Sequence, residues 1–118
     1  MTSKNKKALE SKVANKNNVR DGLEMLRTYK RRTVVWPAVL VVNEFEFKCT
    51  LYDISLGGVR LKLDLPLATG AKVKIKIKNF EYTEALVSWH AEAFVGLKFV
   101  EDVEYIKALL GEYSQRLV

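Results

Sequence analysis

Arg27-Thr28-Tyr29-Lys30-Arg31, with Arg32 directly behind it, sets two guanidinium groups four residues apart in a stretch without strong local structure. About twenty residues further on, Asp53-Ile54-Ser55-Leu56-Gly57-Gly58 forms a polar turn between two hydrophobic runs. Arginine carries a planar, permanently charged fork that suits phosphate oxygens and the O6/N7 edge of guanine. Asp53 and Ser55 add hydrogen-bonding groups, and glycine lets backbone approach a flat ligand closely. An RxxxR alone arises by chance in many basic chains. Followed by DxSxxG, and set against the first strands of an all-β pattern, it points to capture of a planar phosphorylated ligand.

The rest of the sequence offers little to catalysis. His90 is the only histidine, and it follows Trp89 near a hairpin, where a turn or surface role is expected. Asp53 and Ser55 occupy neighbouring positions and imply no base-orienting geometry with it. Neither a GxxxxGK[ST] nor a GxGxxG pattern occurs, and no carboxylate cluster suits magnesium. The single cysteine, Cys49, lies inside an apolar alternation and has no CxxC or Cys/His companions for zinc. No catalytic residue, metal or resident cofactor is expected.

Positioning two such motifs requires a compact scaffold, and the composition supplies one. A chain of 118 residues, 48% hydrophobic and 29% charged, suits one domain with its own core. The longest apolar stretch, Val34 to Val42, is too short to span a bilayer as a helix. The N-terminus is polar and basic and does not read as a secretory signal, so a cytoplasmic protein is expected. Of the net charge of +6, residues 1–20 hold +5, from six cations against Glu10. The basic character therefore belongs mostly to a tail, read as either a solubilising arm or a docking segment for an acidic partner.

Residues 1–19 are rich in Lys, Asn and Ser, with too few apolar residues to offset the entropy of ordering. A short helical turn is read within residues 20–30. From Thr33 the pattern is β. Thr33–Val42 is β-branched and apolar on both faces, with Pro37 marking an edge or bulge. Asn43-Glu44 is read as a tight turn. Phe45–Ile54 alternates, with Phe45, Phe47, Cys49 and Leu51 inward and Asp53 on the same parity, which places its carboxylate at the rim. Gly57-Gly58 breaks the strand, with a positive φ expected at one of them, and Val59, Leu61 and Leu63 resume alternation. After a loop over Pro66–Gly70, Ala71–Lys78 sets Val73, Ile75 and Ile77 against an outer row of four lysines. Glu81–His90 and Phe94–Val100 form a last hairpin. Trp36 and Trp89 fall at apolar positions and are assigned to the core. Six short strands with tight connections imply a closed antiparallel barrel. Val103, Ile106, Leu109, Leu110, Tyr113 and Leu117 then mark an amphipathic helix over 102–117, with Asp102 as its N-cap.

On these motifs the chain resembles the PilZ domains, bacterial receptors for cyclic di-GMP. Thr33-Val34-Val35-Trp36-Pro37-Ala38 resembles their first strand, while Val87-Ser88-Trp89 and Gly96-Leu97-Lys98-Phe99 resemble their closing strands. The resemblance implies a six-stranded antiparallel PilZ-type β-barrel over 33–100. It also implies an arm over 20–32 that clamps the dinucleotide. Arg27, Arg31 and Arg32 would face phosphates and guanine edges, Asp53 the guanine N1–H and N2–H₂ donors, and Ser55 either the ligand or the turn itself. A side chain at Gly58 would obstruct the purine, and Gly57 beside it shares the turn. The partners so implied are cyclic di-GMP and a downstream protein, with motility, adhesion, polysaccharide and cell-cycle outputs all open. The alternatives are a small barrel binding single-stranded nucleic acid, which expects exposed aromatics along its face, and a PilZ-fold adaptor that works without ligand.

Overall fold

The computed structural model of the protein describes residues 29–118. Arg27, the tail and residues 20–28 of the expected arm lie outside the described residues. Six strands follow in order: β1 (Arg32–Val42), β2 (Phe45–Ile54), β3 (Gly58–Lys62), β4 (Lys72–Ile77), β5 (Tyr82–Ala91) and β6 (Phe94–Phe99). All neighbouring pairs are antiparallel, and the order β1-β2-β3-β6-β5-β4 closes on itself as a barrel. Closure leaves β1 paired on both sides, to β2 and to β4. Pro37 is therefore no edge residue. It follows a β1 bulge, and its carbonyl accepts from Lys78 N–H just past the end of β4.

The core is built from the inward parity of each strand. Leu40, Leu51, Ile54, Leu61, Ile75, Ile77 and Val95 are all fully buried. β4 alternates as its sequence requires, with Val73, Ile75 and Ile77 inside. The tight connection between β1 and β2 is Asn43 (φ 49°) and Glu44 (φ 76°), the two consecutive left-handed residues that a two-residue hairpin with native twist demands.

One end of the barrel is closed by the C-terminal segment. Helix α1 (Val103–Leu110) starts at Asp102, whose side chain accepts from Tyr105 N–H at 2.9 Å. It buries Ile106 and Leu110. The expected single helix over 102–117 does not run through. Gly111 adopts φ 60°, ψ −135°, and residues Gly111–Leu117 continue as a 3₁₀ helix that buries Ser114 and Leu117. Glycine reaches this left-handed backbone without a Cβ penalty, and Leu117 stays on the barrel face beyond the break. Trp36 packs edge-on against Tyr113 of this segment, with centroids 4.6 Å apart and Lys78 over its ring.

Three further expectations are corrected, two of them by a strand irregularity. Phe45 is 69% exposed rather than inward, because the β1–β2 hairpin projects beyond the last β1–β4 pair, Val41 with Lys74. Trp89 is 40% exposed rather than core. Between Val87 and Trp89, β5 carries one residue more than β6, and this bulge turns Trp89 outward onto Gly96. A matching irregularity in β2 between Leu51 and Asp53 takes Asp53 off the inward parity of Leu51 and onto the outer face.

Cys49 sits half-buried on β2 opposite Ala38. Burial pushes its thiol up to about 11 from the ordinary 9.0. A raised value favours the neutral thiol in the folded protein, so this contribution to stability is complete below pH 9 and is lost as pH rises towards 11. Alkylation by iodoacetamide should accordingly be far slower than for free cysteine at pH 8 and should rise steeply up to about pH 11. A rate matching free cysteine at pH 8 in native protein would contradict the burial of this thiol.

Candidate ligand-binding site

The turn from β2 to β3 is built around one side chain. The Ser55 hydroxyl accepts from Gly57 N–H (3.1 Å) and Gly58 N–H (3.2 Å) and donates to the Gly58 carbonyl (3.3 Å). Ser55 N–H donates to the same carbonyl at 2.9 Å, and Ser55 is buried. These bonds give Ser55 the role of turn brace, one of the two roles its sequence position allowed.

The glycines are required by packing rather than by left-handed backbone. The expected positive φ at Gly57 or Gly58 is not found: among glycines of the described residues it occurs at Gly70 and Gly111. A Cβ at Gly58 would lie 2.1 Å from the Leu97 carbonyl oxygen on β6, which no real side chain tolerates. A Cβ at Gly57 would meet the ring of Tyr29 at 3.0 Å. Gly58 thus lets β3 approach β6, and Gly57 provides the seat for an aromatic ring.

That ring belongs to the first motif. Tyr29, in the middle of RxxxR, is half-buried and packs against the barrel core. Two residues later, Arg31 Nε lies 3.7 Å from Asp53 Oδ1. The two motifs therefore meet twice, through an aromatic contact and an ion pair. Nothing in the sequence alone singles out Tyr29 as a contact residue. Its only signal was an aromatic residue between the arginines, matched by an extra glycine beside the motif glycine.

The electrostatics of the pair are those of an open clamp. The Arg31 side chain is 39% exposed and that of Asp53 19%. At 3.7 Å the two attract without forming a hydrogen bond, and Asp53 Oδ1 is buried with no hydrogen-bond partner among the described residues. A buried acceptor left unbonded carries a desolvation cost, which a donor from outside would relieve. Thr33 on β1 stands opposite Asp53 on the same face.

Arg32 is not brought to this pair. It opens β1 on the opposite parity, opposite the buried Ile54, and its Nε donates to the Arg116 carbonyl at 3.2 Å. Adjacent arginines thus serve different ends: Arg31 faces Asp53, and Arg32 ties β1 to the C-terminal 3₁₀ helix. No group of His, Cys, Asp and Glu side chains among the described residues has the spacing to hold a metal ion. Among the same residues no helix is long and apolar enough to cross a membrane.

Comparison with known proteins agrees with this architecture. The structure of the Bacillus subtilis inhibitor of motility (MotI/DgrA) superposes with a TM-score of 0.62 at 25% identity, covering 76% of this chain. The chain spans 50% of that protein's length. An uncharacterised Legionella protein, Lpg0364, matches with a TM-score of 0.51 at 17% identity over 73% of this chain and 92% of its own, a likeness of fold alone. No curated protein matches the sequence. The PilZ domain model matches residues 25–116, which include both motifs and every strand. The chain belongs to the PilZ domain family.

Proposed function

We propose that the protein is a cyclic di-GMP receptor whose RxxxR segment closes on the ligand against the β2–β3 turn and so alters the surface offered to a downstream protein. The observation that carries this reading is the meeting of the two motifs: Arg31 with Asp53, and Tyr29 on Gly57. Arg27 and Arg31 would grip phosphate or guanine edges. The unbonded Oδ1 of Asp53 is suited to accept from guanine N1–H and N2–H₂. Ser55 and Gly58 would act through the shape of the turn.

The switch follows from energetics. A salt bridge between partly exposed partners is worth ~0–1 kcal/mol, so a ligand that offers Arg31 a phosphate and Asp53 two donors replaces it at little cost. Ligand preference for the closed arm then drives the change. Arg32 lies next to Arg31 and holds the Arg116 carbonyl, so closing of the arm is transmitted to the C-terminal segment. Among the possible outputs, motility control draws support from the likeness to the inhibitor of motility.

Hydrogen exchange with and without cyclic di-GMP tests this mechanism. Protection at saturation should rise over residues 20–32 more than anywhere in the barrel, with one ligand bound per chain. Unchanged exchange across that segment would exclude arm closure. Removal of residues 1–18 should leave affinity within a few fold at physiological salt, since the clamp begins later. A loss greater than roughly tenfold would instead give the tail lysines a share in binding.

A further inference from the structure

The two motifs, as far as they are described, leave a charge deficit. Arg31 is offset by Asp53, so that pair is close to neutral before any ligand arrives. Cyclic di-GMP brings two phosphodiester charges. Arg27 of the same motif offsets one of these, and the barrel register identifies a further cation on the same face. Directly opposed residues of antiparallel strands share a face. Asp53 on β2 stands opposite Arg60 on β3, and Arg60 stands opposite Gly96 on β6. Arg60 lies between Val59 and Leu61, both buried inward, so it faces outward beside Asp53.

The guanidinium is held in place. Its carbon lies 5.2 Å from the centroid of the Phe94 ring, within the range of a cation–π contact. Tyr52 meets Phe94 edge-on at 5.9 Å and 66°, fixing the ring on which Arg60 rests. Arg60 forms no salt bridge among the described residues. Gly96 beneath it adds no side chain beyond the Trp89 ring that covers it. The result is a cation held over Phe94 on the outer face, on a residue that stands across the ladder from Asp53.

We infer that Arg60 is a phosphate-binding residue of this site, taking a phosphodiester of the dinucleotide while Asp53 reads the base beside it. This inference rests on the proposed cyclic di-GMP reading and extends the binding surface from the two motifs across β3. A guanidinium on an aromatic plane loses little freedom on binding, so its contribution is realised in affinity rather than consumed in ordering.

Calorimetric titration with cyclic di-GMP at three salt concentrations tests it, using wild type, Arg60→Met and Arg60→Lys. Methionine keeps an unbranched stem against Phe94 and removes the charge, and thermal unfolding checks that the fold survives. Arg60→Met should bind roughly tenfold or more weakly, with a shallower slope of log affinity against log salt. Arg60→Lys should restore the slope and part of the affinity. Wild-type affinity and slope in Arg60→Met would overturn this inference alone. Absence of binding by wild type would overturn the proposed function and this inference with it.

Discussion

Replacing Arg31 with alanine is expected to abolish measurable cyclic di-GMP binding while leaving the barrel folded. The residue is the nearest cation to Asp53, at 3.7 Å, and each good arginine fork to a phosphate or base edge is worth ~1–3 kcal/mol. The loss exceeds that one interaction, since Asp53 would also lose the salt-bridge partner it has among the described residues. Arg27→Ala should weaken binding strongly through the other fork of the motif. Asp53→Ala should also weaken it, and in addition narrow the preference for guanine over adenine dinucleotides. Stability should change little in Arg31→Ala, because the pair it breaks is partly exposed. Wild-type affinity in both arginine variants, measured by calorimetry, would remove these residues from the site. Undiminished guanine preference in Asp53→Ala would reduce that carboxylate to a turn residue.

The second large effect is expected at Gly58. Its missing Cβ occupies a position 2.1 Å from the Leu97 carbonyl oxygen, and relief requires β3 and β6 to separate. Overpacking of this kind costs roughly 1–3 kcal/mol or more, and each kcal/mol lowers Tm by roughly 4–8 °C in a domain of this size. Gly58→Ala should therefore unfold at clearly lower temperature and lose ligand binding with the geometry of the turn. Gly57→Ala makes an informative contrast. Its Cβ would press on the Tyr29 ring at 3.0 Å rather than on backbone, so the ring moves and the barrel stays. That variant should keep its Tm within a few degrees and lose affinity by disturbing the seat of the arm. Equal thermal stability of wild type and Gly58→Ala would contradict the close β3–β6 approach.

These two glycines show what the sequence could and could not reveal. Their presence marks a turn, but a glycine needed for left-handed backbone looks the same as one needed for close packing. Only the register of β3 against β6 distinguishes them. Strands were legible wherever strict alternation held, as along Val73, Ile75 and Ile77. Bulges were not, because one extra residue reverses the parity of all that follows. Both Asp53 and Trp89 changed face for that reason. The C-terminal amphipathic pattern correctly placed Ile106, Leu110 and Leu117 on the barrel, while the break at Gly111 was hidden in a pattern that either helical period would satisfy. In the site, RxxxR and DxSxxG named Arg31 and Asp53 by type and order. Tyr29 and Arg60 stayed invisible, since their roles arise from contacts between distant segments. Arg32, grouped with the motif by adjacency, turns away because successive strand residues face opposite sides.

Convergence of the two short motifs on one dinucleotide is what separates a cyclic di-GMP receptor from a barrel that binds nucleic acid. Its most direct test is a calorimetric titration of the full chain with cyclic di-GMP, run beside a short single-stranded oligonucleotide at two salt concentrations. Micromolar or tighter binding of the dinucleotide, one molecule per chain, is expected, with at most weak, strongly salt-dependent binding of the oligonucleotide. No heat of binding from cyclic di-GMP at either salt concentration, with or without tight oligonucleotide binding, would contradict it.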